Sequence, residues 1–321
     1  MILGRRPAAV LALSALVGLM ALSLGLGAAE IDLRSARSDA WTALVVMESR
    51  LPRTLAVALS GAALAVSGAL IQALVRNRFV GPDTSGTSEG AALGLLAVTL
   101  LAPAAPIWVK MLCASAAAVA STALFVAIIR RLPRREVMLV PIAGLVLSGV
   151  LGSVVTWIAW QTDMLQYIGT WLSGEFSGVT AGRYELLWVA GGAAALAWLG
   201  ADRFAILSLG DEIATGLGLH AAAVMRLGLV VVAVVSALVV TTVGMVPFVG
   251  LVVPNIAARL VGDDLRASLP IVAAGGAGLL LVCDIIGRVL IAPYEIPVGM
   301  ILGILGAAIF LVLLYRSPAH G

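Results

Sequence analysis

Arg76-Asn77-Arg78-Phe79-Val80-Gly81-Pro82-Asp83-Thr84-Ser85-Gly86-Thr87-Ser88-Glu89-Gly90 breaks an otherwise apolar chain where a membrane protein tolerates polar residues only for cause. Ahead of it runs the apolar stretch 61–75, itself preceded by Arg50-Leu51-Pro52-Arg53-Thr54. A helix thus enters lipid on one arginine pair and leaves on another. It breaks at Gly81-Pro82 and restarts through small hydroxyl residues. Irregular backbone at a bilayer boundary persists only where protein or water satisfies its polar groups. Transporters place such breaks along substrate routes.

Of the 321 residues, 61% are hydrophobic and 12% charged, and mean hydropathy is +1.11. A soluble domain carries about 25% charged residues, so this composition belongs to an all-α polytopic membrane protein. The net charge of +3 does not mark a nucleic-acid binder, because the basic residues sit in short clusters between apolar runs. That distribution is a topology signal. Cys113 and Cys283 lie inside apolar runs and read as buried thiols, with neither a disulfide framework nor a metal motif.

A hydrocarbon core about 30 Å thick takes roughly 20 apolar residues per helix. Spans are expected near 8–28, 54–75, 108–129, 137–160, 184–200, 269–286 and 296–315, with a short one at 86–103. The run 224–261 is too long for one span, and Gly244-Met245-Val246-Pro247 divides it, giving about ten in all. Placing the N-terminus in the cytoplasm and alternating puts 13 basic residues inside, among them Arg134, Arg135 and Arg316. Seven fall outside, among them Arg34, Arg37, Arg50, Arg53 and Arg288. That excess is the positive-inside pattern, and it places the C-terminus inside as well. The first apolar run is longer than a signal-peptide core and reads as an uncleaved span.

Three places depart from plain spans. At 77–89, the residues before and within the restarting helix read either as a helix cap or as a half-helix lining a route. At 207–219, Asp211 and Glu212 suit a helix start, Ile213 and Leu217 share a face, and glycines bracket the element. A short amphipathic helix in the cytoplasm lies on lipid or inserts into a partner's groove, and its acidic start favours the partner. At 244–264, two prolines and two glycines inside apolar sequence require neighbours to satisfy freed backbone groups. Asp284 and Arg288, four apart on a later helix, read as an ion bridge.

On these residues the chain resembles the FecCD-type permease subunits of bacterial binding-protein-dependent ABC importers for iron-siderophores and vitamin B12. The matching segments are RLPRTL at 50–55, GAALAVSGALIQAL at 61–74, NRFVGPDTSGTSEGAALG at 77–94 and LGDEIATGLGL at 209–219. GMVPFVGLVVPNIAARLVGDDLR at 244–266 and EIPVGMILGILGAAIFLVLL at 295–314 complete the set. The resemblance implies a type II importer permease fold, with 1–321 one transmembrane domain in the bacterial cytoplasmic (inner) membrane. It implies a second permease subunit, identical or homologous, two ATPase subunits below and a substrate-binding protein above. Asp211, Glu212, Ile213, Ala214 and Leu217 match the coupling element, at 207–219, that seats in the ATPase. Arg50, Arg53 and Arg288 match arginines that meet acidic residues on the binding protein. Asn77 and Phe79 match the loop closing the inner end of the path. Ser85, Gly86, Thr87 and Ser88 are expected beside that path.

The N-R-F-V form at 77–80 looks like the branch that handles catecholate-type ferric siderophores; vitamin B12 and haem are the alternative cargoes. Where many members carry Pro-His-Ile, this chain has Pro254-Asn255-Ile256, so no histidine role carries over. An ion-coupled secondary transporter would need ionisable residues at mid-membrane, and Glu89, Asp284 and Arg288 lie towards span ends. A membrane-embedded enzyme would need a convergent nucleophile, acid pair or metal cluster, and His220 and His320 form no ligand set. The sequence has no Gly-rich phosphate loop. The expectation is therefore that the chain binds no cofactor and that ATP and Mg belong to the partner ATPase.

Overall fold

The computed structural model describes residues 5–26, 39–132 and 139–315. Arg34, Arg37, Arg134, Arg135, Arg316 and His320 lie outside the described residues. Helix α1 (Arg5–Gly25) is followed by α2 (Ala40–Val45), which passes through a π-helical turn, Val46–Arg50, into α3 (Leu51–Val75). Then come α4 (Thr87–Leu101), α5 (Ile107–Ile129), α6 (Leu139–Gln161) and α7 (Leu165–Ser173). Helices α8 (Leu186–Leu199) and α9 (Ala201–Ser208) meet at a bend of 62°. After α10 (Asp211–Gly216) follow α11 (Ala221–Val243), α12 (Val249–Val261), α13 (Leu265–Val289) and α14 (Val298–Tyr315). No strand occurs among the described residues. Seven helices are long and apolar enough to cross a membrane, the bent α8–α9 pair adds an eighth, and α4 and α12 are shorter apolar helices. Those ten elements match the expected number.

Helix α3 is the buried axis. It is packed against α13 above all, and against α8, α11 and α12. Two glycines let its neighbours come close. A methyl group at Gly61 would stand 2.3 Å from the Gly276 carbonyl oxygen on α13, and one at Gly68 would stand 1.9 Å from the Gly250 oxygen on α12. Both obstacles are backbone and cannot swing aside. Close approach through small residues supplies helix association where lipid removes the hydrophobic drive. Gly68→Ala is therefore expected to cost at least the 1–3 kcal/mol of ordinary overpacking and to cut the yield of folded protein. Gly192→Ala, with nothing within 4 Å, should leave yield unchanged. Equal yields of monodisperse protein for the two variants would refute this account of the crossing.

Prolines inside helices each leave one carbonyl without its amide donor, four residues back. Pro52 frees Glu48 O, which accepts the Ala181 N–H at 3.0 Å. Pro254 frees Gly250 O, which accepts from Gln72 Nε2 at 3.2 Å. Pro270 frees Arg266 O, which accepts from Trp198 Nε1 at 3.2 Å. The neighbours that the sequence demanded at Pro254 thus exist. The start of α2 is fixed locally: Asp39 accepts from the Trp41 and Thr42 amides at 3.2 Å and from the Thr42 hydroxyl at 2.6 Å. The hydroxyl first, then the amides, hold the Asp39 carboxyl below its ordinary range. Cys283 is buried as expected, but Cys113 is exposed on α5. An apolar run does not tell which of its residues face lipid.

Candidate functional site

Two polar clusters occupy opposite ends of α3, separated by about 37 Å at 1.5 Å per residue. The first lies at its beginning. Arg53 donates to Asp284 Oδ1 from Nη2 at 2.8 Å and from Nε at 3.1 Å, and reaches Glu295 at 2.8–2.9 Å. Arg288 pairs with Asp284 on the same helix and donates to the Ser23 hydroxyl at 2.6 Å. It also donates to the carbonyls of Ser23 and Leu26, while Arg50 donates to those of Leu24 and Gly25. Two guanidinium groups thus close the C-terminal carbonyls of α1, which a helix end otherwise leaves unsatisfied. The Asp284 side chain is 0% exposed, and Arg50 and Arg288 are buried. The expected Asp284–Arg288 bridge exists. The three arginines matched to a docking surface also have partners within the chain, with Arg53 13% exposed. The role of Arg50 and Arg288 as caps of α1 has no signature in sequence, because the carbonyls they meet lie 25–265 residues away.

The second cluster lies where α3 ends. Arg76 takes a left-handed conformation, φ 57° and ψ 36°, and the Asn77 N–H closes back on Gln72 O at 3.0 Å. Asn77 is buried, and its Oδ1 accepts the Phe79 N–H at 2.8 Å. The Phe79 ring meets Phe310 of α14 edge-on at 6.1 Å. Asn255, at the position of the missing histidine, donates to Arg78 O and to Leu251 O, both at 2.7 Å. A cavity of about 280 Å³ opens between Arg76, Asn77, Asn255 and Ser208.

The loop then turns inward. Ser85, Gly86, Thr87 and Ser88, the residues expected beside the path, are buried within this chain. Ser85 Oγ lies 2.8 Å from Thr87 Oγ1, which lies 2.8 Å from Thr122 Oγ1 on α5. Ser121 donates to Gly86 O at 2.5 Å. These hydroxyls pin the start of α4 to α5, a use of polar side chains common between membrane helices. Nor do they cap α4, whose N-cap residue Gly86 has φ 74° and which has no side-chain cap. Asp83 caps a different helix: its Oδ2 accepts the Phe248 N–H at 2.9 Å, at the broken start of α12. Sequence separation of 165 residues hid that pairing.

Between α9 and α11 stands α10. Gly210, at φ 134°, and Gly218, at φ 81°, turn the chain into and out of it. Ala214 is fully buried against the neighbouring helices. Asp211, Glu212, Ile213 and Leu217 are exposed, the two apolar side chains by 50% and 63%. The expected shared face is present and turned outward. The sequence expected one element at 207–219, but Leu207 and Ser208 complete α9. Asp211 Oδ1 accepts from Arg76 Nη2 at 2.5 Å, which ties α10 to the end of α3. No group of three or more His, Cys, Asp or Glu side chains suited to a metal occurs among the described residues.

Ten apolar elements, the buried axis α3 among them, with one sharply bent span and a short helix that turns an apolar pair outward define a multi-pass membrane protein. The chain belongs to the FecCD transport family, whose model matches residues 10–316. It is 40% identical over 278 residues to the petrobactin import system permease protein YclN of Bacillus subtilis, covering 87% of this chain and 88% of that one. The ferric-anguibactin transport system permease protein FatD of Vibrio anguillarum is 39% identical over 302 residues, covering 93% and 96%. The vitamin B12 import system permease protein BtuC of Klebsiella pneumoniae is 36% identical over 285 residues, covering 87% and 84%. Among solved structures, an inward-facing metal-chelate type ABC transporter superposes with a TM-score of 0.81 at 25% identity, covering 96% and 98%.

Proposed function

We propose that this chain is the permease subunit of an ATP-driven importer that carries a ferric siderophore across the bacterial cytoplasmic membrane into the cell. A second permease, identical or homologous, completes the path. Two ATPase subunits sit beneath it, and a substrate-binding protein delivers cargo from outside. The observation that carries this reading is α10. An exposed apolar pair, Ile213 on a six-residue helix too short to stand alone and Leu217 at its C-cap, fits a groove on a partner. Ala214 anchors the element to the bundle, while Asp211, Glu212, Ile213 and Leu217 face the ATPase. Hydrolysis of ATP, with its Mg, belongs to that partner.

ATP binds one state of the assembly more tightly than the other, and that difference alone sets the direction of the cycle. The approach of the two ATPases moves α10, and Asn77 and Phe79 close the inner end of the path. Binding-protein docking at Arg50, Arg53 and Arg288 takes a form shaped by their internal partners. Arg53, the most accessible guanidinium of the three, exchanges Glu295 for a carboxylate of the docking protein.

The names of the petrobactin and anguibactin relatives support a siderophore cargo, and the N-R-F-V-G-P segment favours the catecholate class. The vitamin B12 relatives support cobalamin as the second reading. Deleting the gene is expected to stop growth on a ferric catecholate siderophore as sole iron source, with ferrous iron restoring it. A deletion strain that takes up ferric siderophores normally but loses cobalamin uptake would decide for the second reading.

A further inference from the structure

The Arg76 guanidinium spans two elements at once. Its Nη2 donates to Asp211 Oδ1 in the first turn of α10 and to Leu207 O, at 3.3 Å, in the last turn of α9. Its backbone holds a left-handed conformation seldom taken by a residue with a side chain. The next residue, Asn77, begins the loop that reaches Phe310 of α14 through Phe79 and α12 through Arg78 O and Asn255. The cavity of about 280 Å³ beside these residues leaves the loop room to shift. An unbroken chain of contacts therefore runs from α10 to the inner closure of the path, and Arg76 is its first link.

We propose that Arg76 is a positioning residue that relays the displacement of α10 to the loop at 77–86. This rests on the reading of α10 as the ATPase-docking element. The pair with Asp211 is exposed, 38% and 58%, so its contribution to stability is small. A contact of that kind at the junction of two moving parts transmits position. Coupling of this sort requires an element whose two states both sites bias, and the loop at 77–86 is that element.

The test uses the assembled complex of permease, ATPase and binding protein in lipid. It compares hydrogen exchange of residues 77–86 with and without a non-hydrolysable ATP analogue. Arg76→Gly keeps the left-handed turn, which glycine adopts freely, and removes the guanidinium. It is expected to shrink the nucleotide-induced change by about fivefold or more, while the protection of α10 by bound ATPase persists. Exchanging the charges, Arg76→Asp with Asp211→Arg, is expected to restore most of the response. Arg76→Gln serves as a second single variant. A wild-type response in either single variant overturns the proposal, and so does failure of the exchanged pair to recover any of it while α10 stays protected by bound ATPase. If no Arg76 variant folds, Arg76 is a folding residue and the relay is equally overturned. Ile213→Asp with Leu217→Asp separates the two readings. An ATPase still seated on that variant removes the docking reading itself, whereas its release beside a normal Arg76→Gly response removes only the relay.

Discussion

Replacing Asp284 with alanine is expected to abolish accumulation of the folded permease. The carboxylate is fully buried between two guanidinium groups, and each of those groups holds other parts of the chain. Arg288 closes the end of α1 through Ser23 and Leu26, and Arg53 joins α3 to Glu295. Without Asp284, two positive charges face each other in the interior, and Glu295, itself partly exposed, is the remaining partner for Arg53. Removing one member of a buried pair costs about 3–5 kcal/mol. Net stabilities are typically about 5–15 kcal/mol, so that cost is a large share of the whole. Asp263→Ala is the matched control. It breaks the Arg78–Asp263 pair, whose side chains are 61% and 66% exposed, and should cost under about 1 kcal/mol. Thermal midpoints and yields of detergent-purified protein distinguish the two. An Asp284→Ala protein as stable as the control would show that the cluster does not hold α1 in place. The same geometry governs any charge reversal at Arg53. Arg53→Glu would gather three carboxylates at one point, so lost docking counts as evidence only for protein shown to be folded.

The breaks were legible in the sequence, and the partners were not. Gly244-Met245-Val246-Pro247 announced a divided span, and α11 does end at Val243 before α12 begins at Val249. Proline chemistry likewise predicted that Gly250 O would need a new donor. Nothing local identified that donor as Gln72, 178 residues away. Which face of a span points inward was equally hidden. In water, polarity marks the outer face of a helix, whereas in lipid both faces are apolar and the contrast disappears. Cys113 fell on the wrong side for that reason. Ser85 and Thr87 were hard to read for a different reason, because a hydroxyl that lines a route and one that ties two helices look alike in sequence. The 2.8 Å contact of Thr87 with Thr122 shows the tie. Exposed Ile213 and Leu217 were predictable because α10 lies outside the apolar runs, where the ordinary amphipathic rule applies.

Ile213→Asp combined with Leu217→Asp is expected to abolish transport while leaving the membrane domain folded. Both side chains already face outward in the isolated chain, so carboxylates there meet no buried neighbour. The bonds that frame α10, Ala214 N–H to Gly210 O at 2.8 Å, Leu217 N–H to Ile213 O at 3.0 Å and Leu219 N–H to Ala214 O at 2.9 Å, are all backbone bonds and survive a change of side chain. Folding is therefore spared. In an ATPase groove the same carboxylates would have to shed water against apolar walls. Each substitution also forfeits about 1.5–3 kcal/mol of burial for a fully seated aliphatic side chain. Two such losses, with charge desolvation added, amount to about a hundredfold or more in affinity. The measurement is co-purification of the ATPase with the permease, together with siderophore uptake by cells carrying the variant. Ala214→Leu provides the converse case. Ala214 is fully buried, so a larger side chain would lift α10 off its neighbours without touching the exposed face. A double aspartate variant that still retains its ATPase and still transports would place the docking surface elsewhere on the chain.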